Sequence, residues 1–144
     1  MKAAFLRFSV AAALSALAAC SMPSGPAPVA APEVGRYGVT VTAVHNGRSI
    51  DLGLDQELVV RLTTNANVPF EWSLVDFTPG ALTLPGASKF ERAPRTSNLS
   101  DADGAEVWRF KPAAAGRSEL KFEYRRVRAI GPADQTVTYT VTVR

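Results

Sequence analysis

Val137-Thr138-Tyr139-Thr140-Val141-Thr142-Val143, close to the C-terminal end of the chain, puts every Val and Tyr side chain on one face of an extended strand and every Thr on the other. A period of two is the pattern of a strand with one buried face. Working back along the chain, Leu120, Phe122 and Tyr124 alternate with Lys121, Glu123 and Arg125. Trp108 and Phe110 alternate with Val107, Arg109 and Lys111 in the same way. No stretch of similar length shows the 3.6-residue period of a helix. The pattern predicts strands near 37–44, 49–53, 57–63, 70–75, 88–92, 105–111, 117–126 and 135–143. About eight short strands separated by turn residues point to an all-β fold, two antiparallel sheets packed as an immunoglobulin-like sandwich. Trp72 and Trp108 each sit in an alternating stretch beside other large apolar residues, which places them in the core.

Upstream of residue 37 the pattern changes. Lys2 and Arg7 form a positive n-region, and Phe8 to Leu17 an apolar stretch too short to span a bilayer. Leu17-Ala18-Ala19-Cys20 resembles a bacterial lipobox, in which the Cys thiol is acylated and becomes the first residue of the mature chain. Residues 1–19 are therefore expected to be a lipoprotein signal peptide, and Cys20 a lipidation site. Two or three acyl chains hold a protein at a membrane where one is marginal. Ser21 after the Cys resembles the sorting preference for the outer membrane of Gram-negative cells, so the expected location is the cell envelope, lipid-anchored on the periplasmic face of that membrane. Pro23, Pro26, Pro28 and Pro32 interrupt any helix or sheet, so residues 20–36 read as a lipidated Cys and a semi-extended tether. The domain itself spans 37–144. A single domain of this size needs neither disulfide nor metal, in keeping with one Cys among 144 residues.

The formal charge of +3 is carried partly by the signal. Without Lys2 and Arg7, 14 basic residues face 13 acidic ones, a net of +1. That balance lacks the electrostatic footprint of a nucleic-acid partner.

The ingredients of catalysis are missing. His45 is the one histidine, in His45-Asn46-Gly47, and Asn-Gly reads as a tight turn that leaves His45 solvated. No His/Cys spacing fits zinc, and no Gly-rich loop cradles a phosphate. Asp101-Ala102-Asp103-Gly104 has part of a calcium-loop pattern but lacks its distal ligands, and reads as an acidic surface turn. Asn98-Leu99-Ser100 matches a glycosylation sequon that a bacterial lipoprotein signal leaves without meaning. Neither enzyme activity, cofactor nor metal is expected. Arg125, Arg126 and Arg128 form the dense basic cluster, read as a solvated strand end and, alternatively, as an anion or partner contact.

Three long loops remain, about 64–69, 93–104 and 127–134, and in a sandwich of this count they converge at one pole. Adjacent loops on a rigid base suit recognition. This layout, with the sequence from Val41 to Val143, resembles the chagasin-like family of cysteine-protease inhibitors. The residues that carry the resemblance are Asn46-Gly47, the aromatic-x-Trp of Phe70-Glu71-Trp72, Gly104 before the Trp108–Phe110 strand, Ala115-Gly116, and Tyr124 leading into Arg126. The resemblance implies inhibition by insertion of the three loops into the active-site cleft of a papain-like protease. The implied binding residues are Asn65, Ala66, Asn67, Val68 and Pro69 in the first loop, Asp101, Asp103 and Gly104 in the second, and Arg126, Val127 and Arg128 in the third. The first loop stands where the family reads Asn-Pro-Thr-Thr-Gly, the second where it reads Gly-x-Gly-Gly, and the third where it reads Arg-Pro-Trp. Pro69 fixes its own φ and drives Val68 toward extended conformations, so a wedge with positive φ there is not expected. For Asn65, self-capping of its loop stands beside a contact role. The alternative function is that of a structural or adaptor envelope lipoprotein without inhibitory activity. Binding of anionic lipid by the Arg cluster is a third reading. A monomer is expected.

Overall fold

The computed structural model describes residues 31–35, 37–83, 85–94 and 103–144. They form nine strands and one 3-10 turn. The strands are β1 (Glu33–Gly35), β2 (Gly38–Thr42), β3 (Arg48–Leu52), β4 (Glu57–Asn65), β5 (Phe70–Phe77), β6 (Lys89–Arg92), β7 (Asp103–Phe110), β8 (Gly116–Arg126) and β9 (Gln135–Val143), with the turn at Ala43–His45. Five strands in the order β1-β2-β4-β7-β6 make one sheet, and four in the order β3-β9-β8-β5 make the other. The all-β sandwich predicted from alternation is therefore present, β2 to β9 each lying within a few residues of an expected strand.

The core follows from the alternation. Val137, Tyr139, Val141 and Val143 of β9 are all buried, while the intervening Thr residues face outward to varying degrees. Each such burial contributes about 1.5–3 kcal/mol. Val39 and Val41 of β2, Leu58, Val60 and Leu62 of β4, and Trp108 and Phe110 of β7 meet them from the opposite sheet. Trp72 and Trp108 both belong to this core, as expected.

Three features differ from the sequence reading. Residues Glu33–Gly35, inside the stretch read as tether, form a strand that pairs antiparallel with β2 through Glu33↔Thr40 and Gly35↔Gly38. Two strand pairs are parallel, β2 with β4 and β3 with β9, because the chain crosses from one sheet to the other at Ala43–His45 and returns after β3. His45 is buried rather than solvated, since it sits at that crossing. Its Nδ1 accepts the Thr42 N–H at 2.9 Å, and the neighbouring Thr42 carbonyl accepts the buried Tyr139 hydroxyl at 2.9 Å, joining the two sheets. Asn46 carries out the turn role expected of it. Its Oδ1 accepts the Thr138 N–H at 2.8 Å, and Gly47 follows with φ 73°.

The direction of β1 sets where the preceding chain meets the sandwich. Because β1 runs against β2, the chain before Glu33 comes from the end of the sheet where β2 and β4 finish. Ala31 there lines one surface depression together with Thr42, Val44 and His45.

Candidate functional site

The register brings the three loops together. β4 ends and β7 begins at the pair Asn65↔Asp103, and β6 ends at Arg92 opposite Gly104. On the other sheet, β5 begins at Phe70 opposite Arg126 of β8, and β9 begins at Gln135 opposite Tyr124. The connections 66–69, 93–102 and 127–134 therefore all leave from the same pole. The second of these is described only at Ala93 and Pro94, so Asp101 lies outside the described residues, as do Cys20 and Asn98.

The first loop is a tight turn built by Asn65. The Val68 N–H donates to the Asn65 carbonyl at 3.2 Å, and the Asn67 N–H donates to Asn65 Oδ1 at 2.8 Å. The other end of the same amide, Nδ2, donates to Asp103 Oδ1 at 2.6 Å. Asn65 thus caps its own loop and also fastens it to the start of the second. The described residues with positive φ include none from Asn65 to Pro69, consistent with the restriction Pro69 imposes. Ala66, Asn67, Val68 and Pro69 are exposed. The third loop is joined to the first by the Val127 N–H, which donates to the Pro69 carbonyl at 2.8 Å.

Four of the expected loop residues are parts of strands, Asn65 closing β4. Asp103 and Gly104 open β7, and Arg126 closes β8. Gly104 is buried beneath β6, where a Cβ would lie 2.4 Å from the Glu91 carbonyl oxygen and 2.6 Å from the Phe90 ring. Its absent side chain allows the two strands to meet, a packing role rather than an open surface.

A column of aromatic rings supports the pole. Trp72 lies 5.0 Å from Tyr124, and Tyr124 is stacked 5.3 Å from Phe70. The Arg126 guanidinium lies 5.7 Å above the Phe70 ring. Trp72 Nε1 donates to the Thr63 carbonyl at 3.0 Å, so the indole is fixed to the strand that leads into the first loop. The basic cluster divides: Arg126 rests on the column, Arg125 Nε donates to Glu123 at 2.8 Å, and Arg128 is exposed with φ 64°. The Arg125 and Lys121 side chains beside Glu123 hold its carboxyl below the usual carboxylate range, the hydrogen bond from Arg125 being the larger cause.

Residues 51–143 match the family model described as chagasin family peptidase inhibitor I42. The chain belongs to the chagasin family. That family is one of inhibitors and not of enzymes. No curated protein sequence matches the chain. Among solved structures, the cysteine protease inhibitor EhICP2 from Entamoeba histolytica is similar, with a TM-score of 0.63 and 17% identity over 73% of this chain and 94% of that one. Amebosin is similar with a TM-score of 0.59 and 18% identity, over 76% of this chain and 100% of the other. At these identities the two structures establish the sandwich fold.

The loop tips of the chagasin-type pole carry exposed aliphatic side chains: Val68, Val127 and, fully in water, Ile130. Val68 and Val127 belong to the loop residues expected from the sequence, whereas Ile130 does not. An isoleucine in a loop has no neighbours in sequence that announce its exposure.

Proposed function

We propose that the domain binds papain-like cysteine proteases and inhibits them by inserting the loop-bearing pole into the active-site cleft. The observation that carries this reading is the convergence of three connections at one end of a chagasin-family domain, cross-linked by Asn65–Asp103 and Pro69–Val127. A wedge that enters a cleft without being cleaved needs a backbone held in place, and these bonds hold it. The exposed aliphatic tips supply apolar surface that gains from burial against a partner. The rim residues Asn67, Val68, Val127 and Arg128 are in position to touch the protease, whereas Asn65, Asp103 and Gly104 act by holding the loops. We read Cys20 as a lipid attachment point that keeps the inhibitor at the cell envelope.

The core lies wholly within 39–143, so a chain starting at Ser21 retains all of it. That protein is expected to inhibit a papain-like protease at about micromolar concentration or better, and to survive the incubation uncleaved by gel analysis. Failure to inhibit any of several such proteases overturns the reading.

A further inference from the structure

Ile130 has 104% of the reference exposure for its residue type, the highest among the exposed large apolar residues described, with Tyr37 next at 78%. A lone exposed aliphatic residue on a loose loop needs no explanation, but this loop is pinned on both sides of it. The Ala129 N–H donates to the Arg126 carbonyl at 3.0 Å, closing a turn in which Arg128 takes the left-handed conformation with φ 64°. Non-glycine residues adopt that conformation uncommonly. Immediately after Ile130, the Gly131 carbonyl accepts a hydrogen bond from the Arg125 guanidinium. Arg125 is itself held by Glu123, a buried carboxylate that also takes Lys121 at 3.0 Å. Downstream, the Asp134 N–H donates to the Tyr124 carbonyl at 2.9 Å. The third loop is therefore a preformed hook with its one fully exposed aliphatic side chain at the bend.

We propose that Ile130 is the principal apolar anchor of the third loop, seated in an apolar depression at the rim of the bound protease's cleft, with Arg125 and Glu123 as positioning residues behind it. This rests on the inhibitory reading of the pole. Preorganisation of a loop in its bound shape reduces the ordering entropy lost on association. Val68 and Val127, at 41% and 43% exposure, flank the anchor as supporting contacts.

The test uses the chain from Ser21 onward, with inhibition constants measured against a panel of papain-like proteases beside thermal unfolding. Ile130→Ala is expected to weaken inhibition about 30-fold or more with the unfolding midpoint unchanged, because the side chain has no packing to lose. Ile130→Leu is expected to retain inhibition, and Ile130→Ser to lose it as Ile130→Ala does. Inhibition by Ile130→Ala within about twofold of the unsubstituted protein, against a protease that the latter inhibits, overturns the anchor assignment and leaves the inhibitory function standing. An unsubstituted protein that inhibits none of the panel overturns the function itself, and the anchor with it.

Discussion

Asn65 uses both ends of its amide inside the domain, accepting from Asn67 and donating to Asp103. The sequence pattern leaves self-capping and contact open as its two roles; the geometry shows self-capping and a tie to a neighbouring loop. Asn65→Ala removes two hydrogen bonds and is expected to lower stability by about 1–2 kcal/mol, with weakened inhibition as the first and second loops lose their common fastening. Asn65→Asp is expected to be the more damaging, since it faces the Asp103 oxygen with a second carboxylate. Chemical denaturation and inhibition assays on both variants check this; stability equal to the unsubstituted protein in each removes the fastening role. His45, which the sequence reading left solvated, and Ile130, which it did not single out, share one cause. Burial at His45 is created by a crossing between sheets, and exposure at Ile130 by a turn, so neither leaves a periodic mark on the chain.

At the scale of the strands, alternation of period two is a faithful guide. It locates β9 at both of its ends and β8 to within a residue, because each buries one face along a continuous run, Ser118 to Phe122 in β8 and Val137 to Val143 in β9. β1 has three residues, too few for a period, and its proline-rich setting reads as tether. Parallel pairing of β2 with β4 is equally hidden, because which sheet a strand joins is decided by crossings and not by its own residues. The outward face of the five-stranded sheet adds a network across β4, β7 and β6: Arg61 pairs with Glu91, and Arg109 lies 3.4 Å from both Glu91 and Glu57. The Arg61 hydrogen bond, ahead of the charge of Arg109, holds the Glu91 carboxyl below its usual range, as Arg125 does for Glu123. A carboxyl whose value is depressed by folding contributes stability that is complete above the ordinary glutamate value, about 4.3, and is lost as pH falls through the lowered folded-state value. The unfolding midpoint is therefore expected to be flat near neutrality and to fall below about pH 4.5. Glu91→Gln combined with Glu123→Gln is expected to lower the neutral midpoint and flatten the acid limb. An acid limb of undiminished slope in the double variant excludes these two groups as its source.

For the whole molecule, the sandwich gathers the ends of three connections at one pole, and the resemblance read from Phe70-Glu71-Trp72 and its companions is matched by family membership over residues 51–143. The proposed lipid on Cys20 predicts that the full chain, expressed in a bacterium that processes lipoproteins, sediments with membranes. Cys20→Ala is expected to move it to the soluble fraction, and mass spectrometry of the N-terminal peptide is expected to show the acyl chains. Equal partitioning of the two proteins rules out acyl anchoring through this residue.

The run of β1 against β2 gives such an anchor a direction. Ala31 lies beside Thr42, at the end of the sheet where β4 also leads into the first loop, so a leash attached there would start from the loop-bearing end of the domain. If Cys20 is acylated and the pole inhibits as proposed, leash and loops would share one end of the domain, and a protease reaching the loops would have to fit between the domain and the lipid. The length of the leash, more than the height of the sandwich, would then set which proteases fit underneath.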